Sequence, residues 1–201
     1  MTRVTAGLLL TGGQSRRLGT DKSQVRRDGE TLAARGARVL RAVCTPVLEL
    51  GPGTSGLDAI REDPPGTGPL AALAAGAAEL RTRGADAPAI LLAVDLPFVE
   101  PPLLELLAGT DAGDGIVVPV AGGVRQPTCA LYSRAALRRA EELVVEGERA
   151  LQALLGSSPV IEVAPAEWRA VAPSHALDDL DTPEDVERLG LDGGPPVPSV
   201  E

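Results

Sequence analysis

The chain has 201 residues, room for one domain with a sizeable core, and its formal net charge of −9 excludes a sequence-independent nucleic-acid binder, which needs a basic surface. Hydrophobic residues make up 44% of it, yet its aromatics are only Phe98, Tyr132 and Trp168, so Leu, Val, Ile and Ala must build the core. A single histidine (His175), two cysteines without ligand spacing (Cys44 and Cys129) and no G-x-S-x-G elbow exclude a multi-histidine zinc site, a disulfide scaffold and an α/β-hydrolase serine site.

No 18-residue apolar run occurs, and Met1-Thr2-Arg3 does not begin a signal-peptide pattern. A soluble, cytoplasmic protein is expected. Residues 3–10 read as a first strand, because a short apolar run bounded by glycines suits a buried strand. It ends in Thr11-Gly12-Gly13-Gln14-Ser15-Arg16-Arg17-Leu18-Gly19-Thr20-Asp21-Lys22. Glycines let backbone N–H groups approach an anion closely, and the arginines and the lysine supply positive charge. Lys22 is the only lysine among 19 basic residues. The stretch therefore reads as a phosphate-binding loop. It is not a Walker P-loop, because Asp21 rather than Gly precedes Lys22-Ser23, and it lacks the G-x-G-x-x-G of dinucleotide sites.

Asp28-Gly29 reads as a turn, Thr31 to Val43 as a helix stopped by Pro46, and Val47 to Leu50 as a second strand closed by Gly51-Pro52-Gly53. Ala59 to Asp63 is a weak third strand leading into the rigid loop Pro64-Pro65-Gly66-Thr67-Gly68-Pro69. An alanine-rich helix spans Leu70 to Leu80. Ala89 to Val94, apolar on both faces, is the strongest strand and fits a central parallel position. It ends at Asp95. Pro101 to Leu107 forms a helix, Ile116 to Val120 and Thr128 to Tyr132 form strands, and Ser133 caps a helix over 134–145. Gly147 separates that helix from another at 148–155. Val160 to Val163 is a late strand, and Thr182-Pro183-Glu184-Asp185 opens the last helix. His175 and Trp168 read as structural or loop residues. The domain is expected over 1–190, with a disordered Gly/Pro-rich tail over 191–201.

Strands alternating with helices imply an α/β fold with a mostly parallel sheet, and ligands of such sheets sit beyond the carboxyl ends of the strands. The loops 11–22, 63–69 and 95–98 then share one crevice. Asp95 at the end of the most buried strand is a candidate Mg²⁺ ligand, since Mg²⁺ takes one or two carboxylates plus phosphate oxygens. Asp63 is either a turn former or a ligand contact. Asp179 and Asp181 read on spacing as acids before a helix, and Gln126-Pro127 as a strand-entry turn or a substrate contact.

The motifs, taken in series, resemble a known family. Leu10-Thr11-Gly12-Gly13…Ser15-Arg16-Arg17-Leu18-Gly19…Asp21-Lys22 is similar to the L-A-G-G-x-S-x-R-[ML]-G-x-x-K signature of nucleotidyltransferases. Asp63…Gly68-Pro69-Leu70, Ala93-Val94-Asp95-Leu96-Pro97-Phe98, Gln126-Pro127, Gly147-Glu148-Arg149-Ala150-Leu151 and Asp181-Thr182-Pro183-Glu184-Asp185 resemble the D-x-x-x-G-P-L, C-D-[ML]-P-F, Q-P, G-x-R-x-[LF] and N-T-P-E-D segments of the molybdenum cofactor guanylyltransferases. The resemblance covers residues 4–189.

The resemblance implies a three-layer Rossmann-like nucleotidyltransferase fold with helices on both faces of the sheet. It implies transfer of GMP from GTP to molybdenum-molybdopterin, with release of pyrophosphate and Mg²⁺ as cofactor. By the same resemblance, Leu10, Thr11 and Gly12 line the nucleoside side, Gly13, Arg17 and Lys22 hold the triphosphate, Asp63 contacts the nucleotide and Asp95 binds Mg²⁺. Gln126, Asp179 and Asp181 fall on the pterin side. Lys22, Arg17 and Asp95 are the implied catalytic residues. GTP and the molybdopterin-type cofactor are the implied ligands, with transient contact to molybdoenzymes or cofactor-insertion proteins and no nucleic acid or membrane. Thr11 stands where the family usually has alanine, Ala72 where a second glycine is usual, and Asp181 where asparagine is common. Alternatives are a cytidylyltransferase acting on the same cofactor, a related NTP transferase, and a non-catalytic GTP-binding cofactor escort.

Overall fold

The computed structural model describes residues 4–12, 18–62, 64 and 66–193. The chain opens with β1 (Ala6–Leu10), a 3₁₀ turn (Lys22–Gln24), the hairpin β2 (Arg26–Arg27) and β3 (Glu30–Thr31), then α1 (Leu32–Arg41) and β4 (Val47–Leu50). Next come β5 (Asp58–Ile60), α2 (Pro69–Thr82), β6 (Ala89–Ala93) and α3 (Pro101–Gly109). The second half carries β7 (Ile116–Ala121), β8 (Val124–Arg125), β9 (Cys129–Tyr132), α4 (Arg134–Val145), α5 (Leu151–Ser157), β10 (Val160–Val163), α6 (Pro165–Trp168) and α7 (Pro183–Arg188).

The main sheet has the order β10-β7-β9-β6-β1-β4-β5, with β8 paired to the end of β7. β1 pairs in parallel with β4 and β6, and β5 and β10 are also parallel to their neighbours; β9 runs antiparallel to both β6 and β7. The fold is thus α/β with a mostly parallel sheet and helices on both faces, as the sequence implies. Alternation along β6 shows why its run is apolar throughout. Ala89 and Leu91 pack with Leu70, Leu73 and Leu80 of α2 and Leu137 of α4, whereas Ile90 and Leu92 pack with Leu40 of α1 and Leu103 and Leu107 of α3. Gly76 lets α2 approach closely, since a Cβ there would stand 2.7 Å from Leu50 Cδ2.

The helix starts follow local chemistry. Thr31 and Ser133 accept from the amides of Ala34 and Ala136, so α1 and α4 are side-chain capped. Two expected boundaries are corrected. The third strand is Asp58–Ile60, not 59–63. The helix expected over 148–155 begins only at Leu151, because Ala150 is extended and the Arg149 carbonyl is turned to accept from Leu70 N, at the start of α2. At the other end, Leu191 is buried and Asp192 exchanges two backbone hydrogen bonds with Arg26, so the packed chain runs past residue 190. Among the described residues, no helix is long and apolar enough to cross a membrane.

Candidate active site

The chain leaves β1 on one side through α1 to β4, and reaches β6 on the other side through α2. These helices lie on opposite faces of the sheet, so β1 and β6 flank a topological switch point, where α/β sheets open a crevice beyond their carboxyl ends. Leu10 and Ala93 are in register there, and Val94 N donates to Leu10 O. Thr11-Gly12 and Asp95 are therefore delivered side by side.

Lys22 reaches into this crevice from the 3₁₀ turn, which Asp21 caps by accepting from Ser23 N at 2.9 Å. Its ammonium donates to Asp95 Oδ2 at 3.1 Å and to Asp181 Oδ1 at 2.7 Å. Burial opposes the charge on Lys22, but Asp95 and Asp181 outweigh it and hold its pKa above the ordinary lysine value. Asp95 titrates the other way from a simple ion pair. Burial raises its pKa, Lys22 lowers it, and repulsion from Asp181 and Asp179 adds to the rise. The segment carrying these two aspartates is tied down by Leu180 N, which donates to Asp95 O, and by Asp185, whose carboxylate accepts from the amides of Asp181 and Thr182.

The Asp95 loop is clamped from behind. Arg27 Nη1 and Arg35 Nε both donate to the Pro97 carbonyl at 2.8 Å. Arg35 is nearly buried and also pairs with Glu100, while Arg27 lies over the Phe98 ring at 4.5 Å. His175, an exposed loop residue, meets the same ring edge-on. Trp168 is fully buried and donates to Val120 O.

On the other side of Thr11 stands a residue that the sequence reading missed. Glu49, in β4, is 0% exposed. Its carboxylate accepts from Thr11 Oγ1 at 2.6 Å, from the amides of Gly53, Thr54 and Ser55 at 2.8–2.9 Å, and from the Ser55 hydroxyl. Burial raises its pKa, but the hydrogen bonds from Ser55, Thr11 and Thr54 outweigh burial and bring it down to about 2. The available signal was a lone charged residue inside the apolar strand Val-Leu-Glu-Leu, followed by a Gly-Pro-Gly-Thr-Ser turn. Thr11 N and Gly12 N both donate to Leu50 O at 3.1 Å. Gly51 passes so close that a Cβ on it would collide with Thr11 Oγ1 and come within 2.7 Å of Gly12 N.

A cleft of about 360 Å³ opens beside this seam, lined by Leu10, Gly12, Glu62, Gly66, Gly68, Pro69 and Ala72. The loops after β1 and β5 thus meet across one opening, and the Lys22 contacts join the loop after β6 to them. Gln126 lies at the same end of the sheet, just ahead of β9, whose Cys129 pairs with Leu92; Tyr132 Oη donates to Pro127 O and holds that turn. Gln126 directs its amide to Val124 O. Asp179 is exposed near Asp95. Gly13, Arg17 and Asp63 lie outside the described residues. The described part brings Leu10, Thr11, Gly12, Lys22, Asp95 and Asp181 together, and turns the Thr11 hydroxyl onto Glu49.

The chain belongs to the MobA-like NTP transferase domain family, whose model matches residues 7–163. A relative from Opitutus terrae, named a probable molybdenum cofactor guanylyltransferase, is 38% identical over 154 residues, covering 73% of this chain and 75% of its own. A Mycobacterium tuberculosis protein of the same name is 33% identical over 192 residues, covering 89% and 92%. Among solved structures, molybdopterin-guanine dinucleotide biosynthesis protein A from Archaeoglobus fulgidus superposes with a TM-score of 0.74 at 23% identity, covering 92% of this chain and 96% of that one. The protein is accordingly an enzyme of the nucleotidyltransferase class.

Proposed function

We propose that this enzyme transfers GMP from GTP to the terminal phosphate of molybdenum-bearing molybdopterin, giving the guanine dinucleotide form of the cofactor and pyrophosphate. The observation that carries the reading is Lys22 held between Asp95 and Asp181 at the end of the sheet where β1 and β6 finish in register and Leu10 and Gly12 line a cleft. The names of the Opitutus and Mycobacterium relatives support the choice of substrates.

In this reading a phosphate oxygen of the pterin substrate forms a bond to the α-phosphorus of GTP, and the bond from that phosphorus to the bridging oxygen of pyrophosphate breaks. A phosphate nucleophile is already ionised, so no general base is required. Positioning and charge stabilisation dominate such transfers. Leu10, Thr11 and Gly12 seat the nucleoside. Gly13, Arg17 and Lys22 hold the triphosphate, with Lys22 leaving its carboxylate partners to do so, and Asp63 contacts the nucleotide. Gln126 and Asp179 face the pterin side with Asp181.

The donor set suits a divalent cation: two carboxylates, from Asp95 and Asp181, already converge on one positive charge. Asp95, with Asp181 beside it, would hold Mg²⁺, which when bound neutralises charge on the α-phosphate and on the leaving pyrophosphate. The decisive test is pyrophosphate release from purified protein mixed with Mg²⁺, molybdenum cofactor and each nucleoside triphosphate. Release with GTP alone is expected. Release with CTP instead would make the enzyme a cytidylyltransferase, and GTP binding without release would make it a cofactor escort.

A further inference from the structure

Glu49 occupies the third position of β4, opposite Leu9 of β1 and Ala59 of β5 in the parallel ladder. A carboxylate is expensive to place in such an interior, and where stability alone is served an apolar residue does as well or better. What the carboxylate accomplishes there is directional. One oxygen takes Thr11 Oγ1 and the amides of Gly53 and Thr54, and the other takes the amide and hydroxyl of Ser55. These donors come from two places: the chain as it leaves β1 for the anion loop, and the turn that follows β4. The same seam is closed on the main chain by Leu50 O, which accepts from both Thr11 N and Gly12 N. Gly51 lets the two segments approach this closely, since a Cβ on it would collide with Thr11 Oγ1.

We propose that Glu49 is a positioning residue for the nucleoside: by gripping Thr11 and residues 53–55 together, it fixes the Leu10–Gly12 wall of the cleft in its ligand-ready shape. This rests on the nucleotidyltransferase reading given above for that wall. The hydroxyl of Thr11 then serves the wall from behind, through Glu49, rather than touching the base. A fixed wall lowers the ordering cost of binding and leaves the phosphoryl chemistry to Lys22 and Asp95.

The test is titration calorimetry of Mg²⁺-GTP into wild type, Glu49→Gln, Thr11→Val and the double variant, with melting temperature measured alongside. Glu49→Gln keeps the shape but turns an amide N–H₂ toward N–H donors, and about a tenfold rise in Kd is expected at unchanged stoichiometry. Thr11→Val is expected to raise Kd in the same direction, and the double variant no further than Glu49→Gln alone, because both act through one network. A purely structural role would lower the melting temperature and the bound stoichiometry while leaving the Kd of the folded fraction unchanged, and that result would overturn the proposal. Additive losses in the double variant would do the same. If Glu49→Gln does not fold, Thr11→Val decides by itself, a wild-type Kd counting against the proposal. Absence of Mg²⁺-GTP binding to wild type would overturn the nucleotide reading itself, and with it this role for Glu49.

Discussion

Lys22 and Asp181, 159 residues apart in the chain, meet at 2.7 Å, and the same ammonium reaches Asp95 at 3.1 Å. The site is thereby built from the first loop, the middle strand and the last helix entry at once. The lysine stands between the two carboxylates, so one compact positive charge offsets part of the negative charge that Asp95 and Asp181 concentrate there.

Replacing Lys22 with alanine is expected to lower GTP-dependent pyrophosphate release by about 10²- to 10³-fold, the usual cost of losing one preorganised donor at developing charge. Lys22→Arg should recover little of it. A planar, spread guanidinium presents its charge to phosphate oxygens differently from a compact ammonium on a flexible stem. Steady-state assay of both variants checks this.

Asp95→Asn separates chemistry from stability. Ionised Asp95 is disfavoured by burial and by its acidic neighbours, which raise its pKa in the folded protein. A carboxyl whose folded pKa lies above its unfolded value costs stability once the pH is high enough to ionise it. The variant should therefore lose pyrophosphate release by about 10²-fold or more with little change in melting temperature, because the relief of Asp95 is offset by the lost pairing with Lys22, which Asp181 still holds. A joint fall of both would argue that Asp95 is a structural group.

Arg35→Ala should act in the opposite sense. It removes one donor from the Pro97 carbonyl and leaves Glu100 without its nearest cation. A loss of about 2 kcal/mol is expected, seen as a melting temperature about 4 to 8 °C lower by calorimetry. Arg27 still holds the same carbonyl, so the Asp95 loop should keep its position.

Glu49 gives the protein a defined acid response. Its folded pKa is about 2, below the ordinary glutamate value of 4.5, so its stabilising contribution is fully present above the unfolded value and is lost as the pH falls from about 4.5 towards 2. The contribution is on the order of 3 kcal/mol. Melting temperature measured against pH should show that loss in wild type, and a flatter profile through the same window in Glu49→Gln.

Much of this was legible in one dimension. The run Ala89 to Val94 declares a strand buried on both faces because every residue is apolar, and Ser133 and Thr182 declare helix starts because their hydroxyls satisfy free amides. The order of strands and helices fixed the fold class, and the Gly12-to-Lys22 and Asp95 motifs marked one end of the sheet as the site. The β2–β3 hairpin and β8 were not read, since two-residue strands carry no periodicity.

Thr11 illustrates the boundary between the two kinds of information. Its sequence position placed it at the nucleoside edge. Only the tertiary structure decided that its hydroxyl points to Glu49, because β1 and β4 are neighbours in the sheet though 38 residues separate the two side chains. The pairing of Lys22 with Asp181 has the same origin. Local spacing determines strands, helices and caps, which depend on neighbours within a few residues. Which charges share a crevice depends on strand order, and that is set by how the apolar faces of distant segments pack.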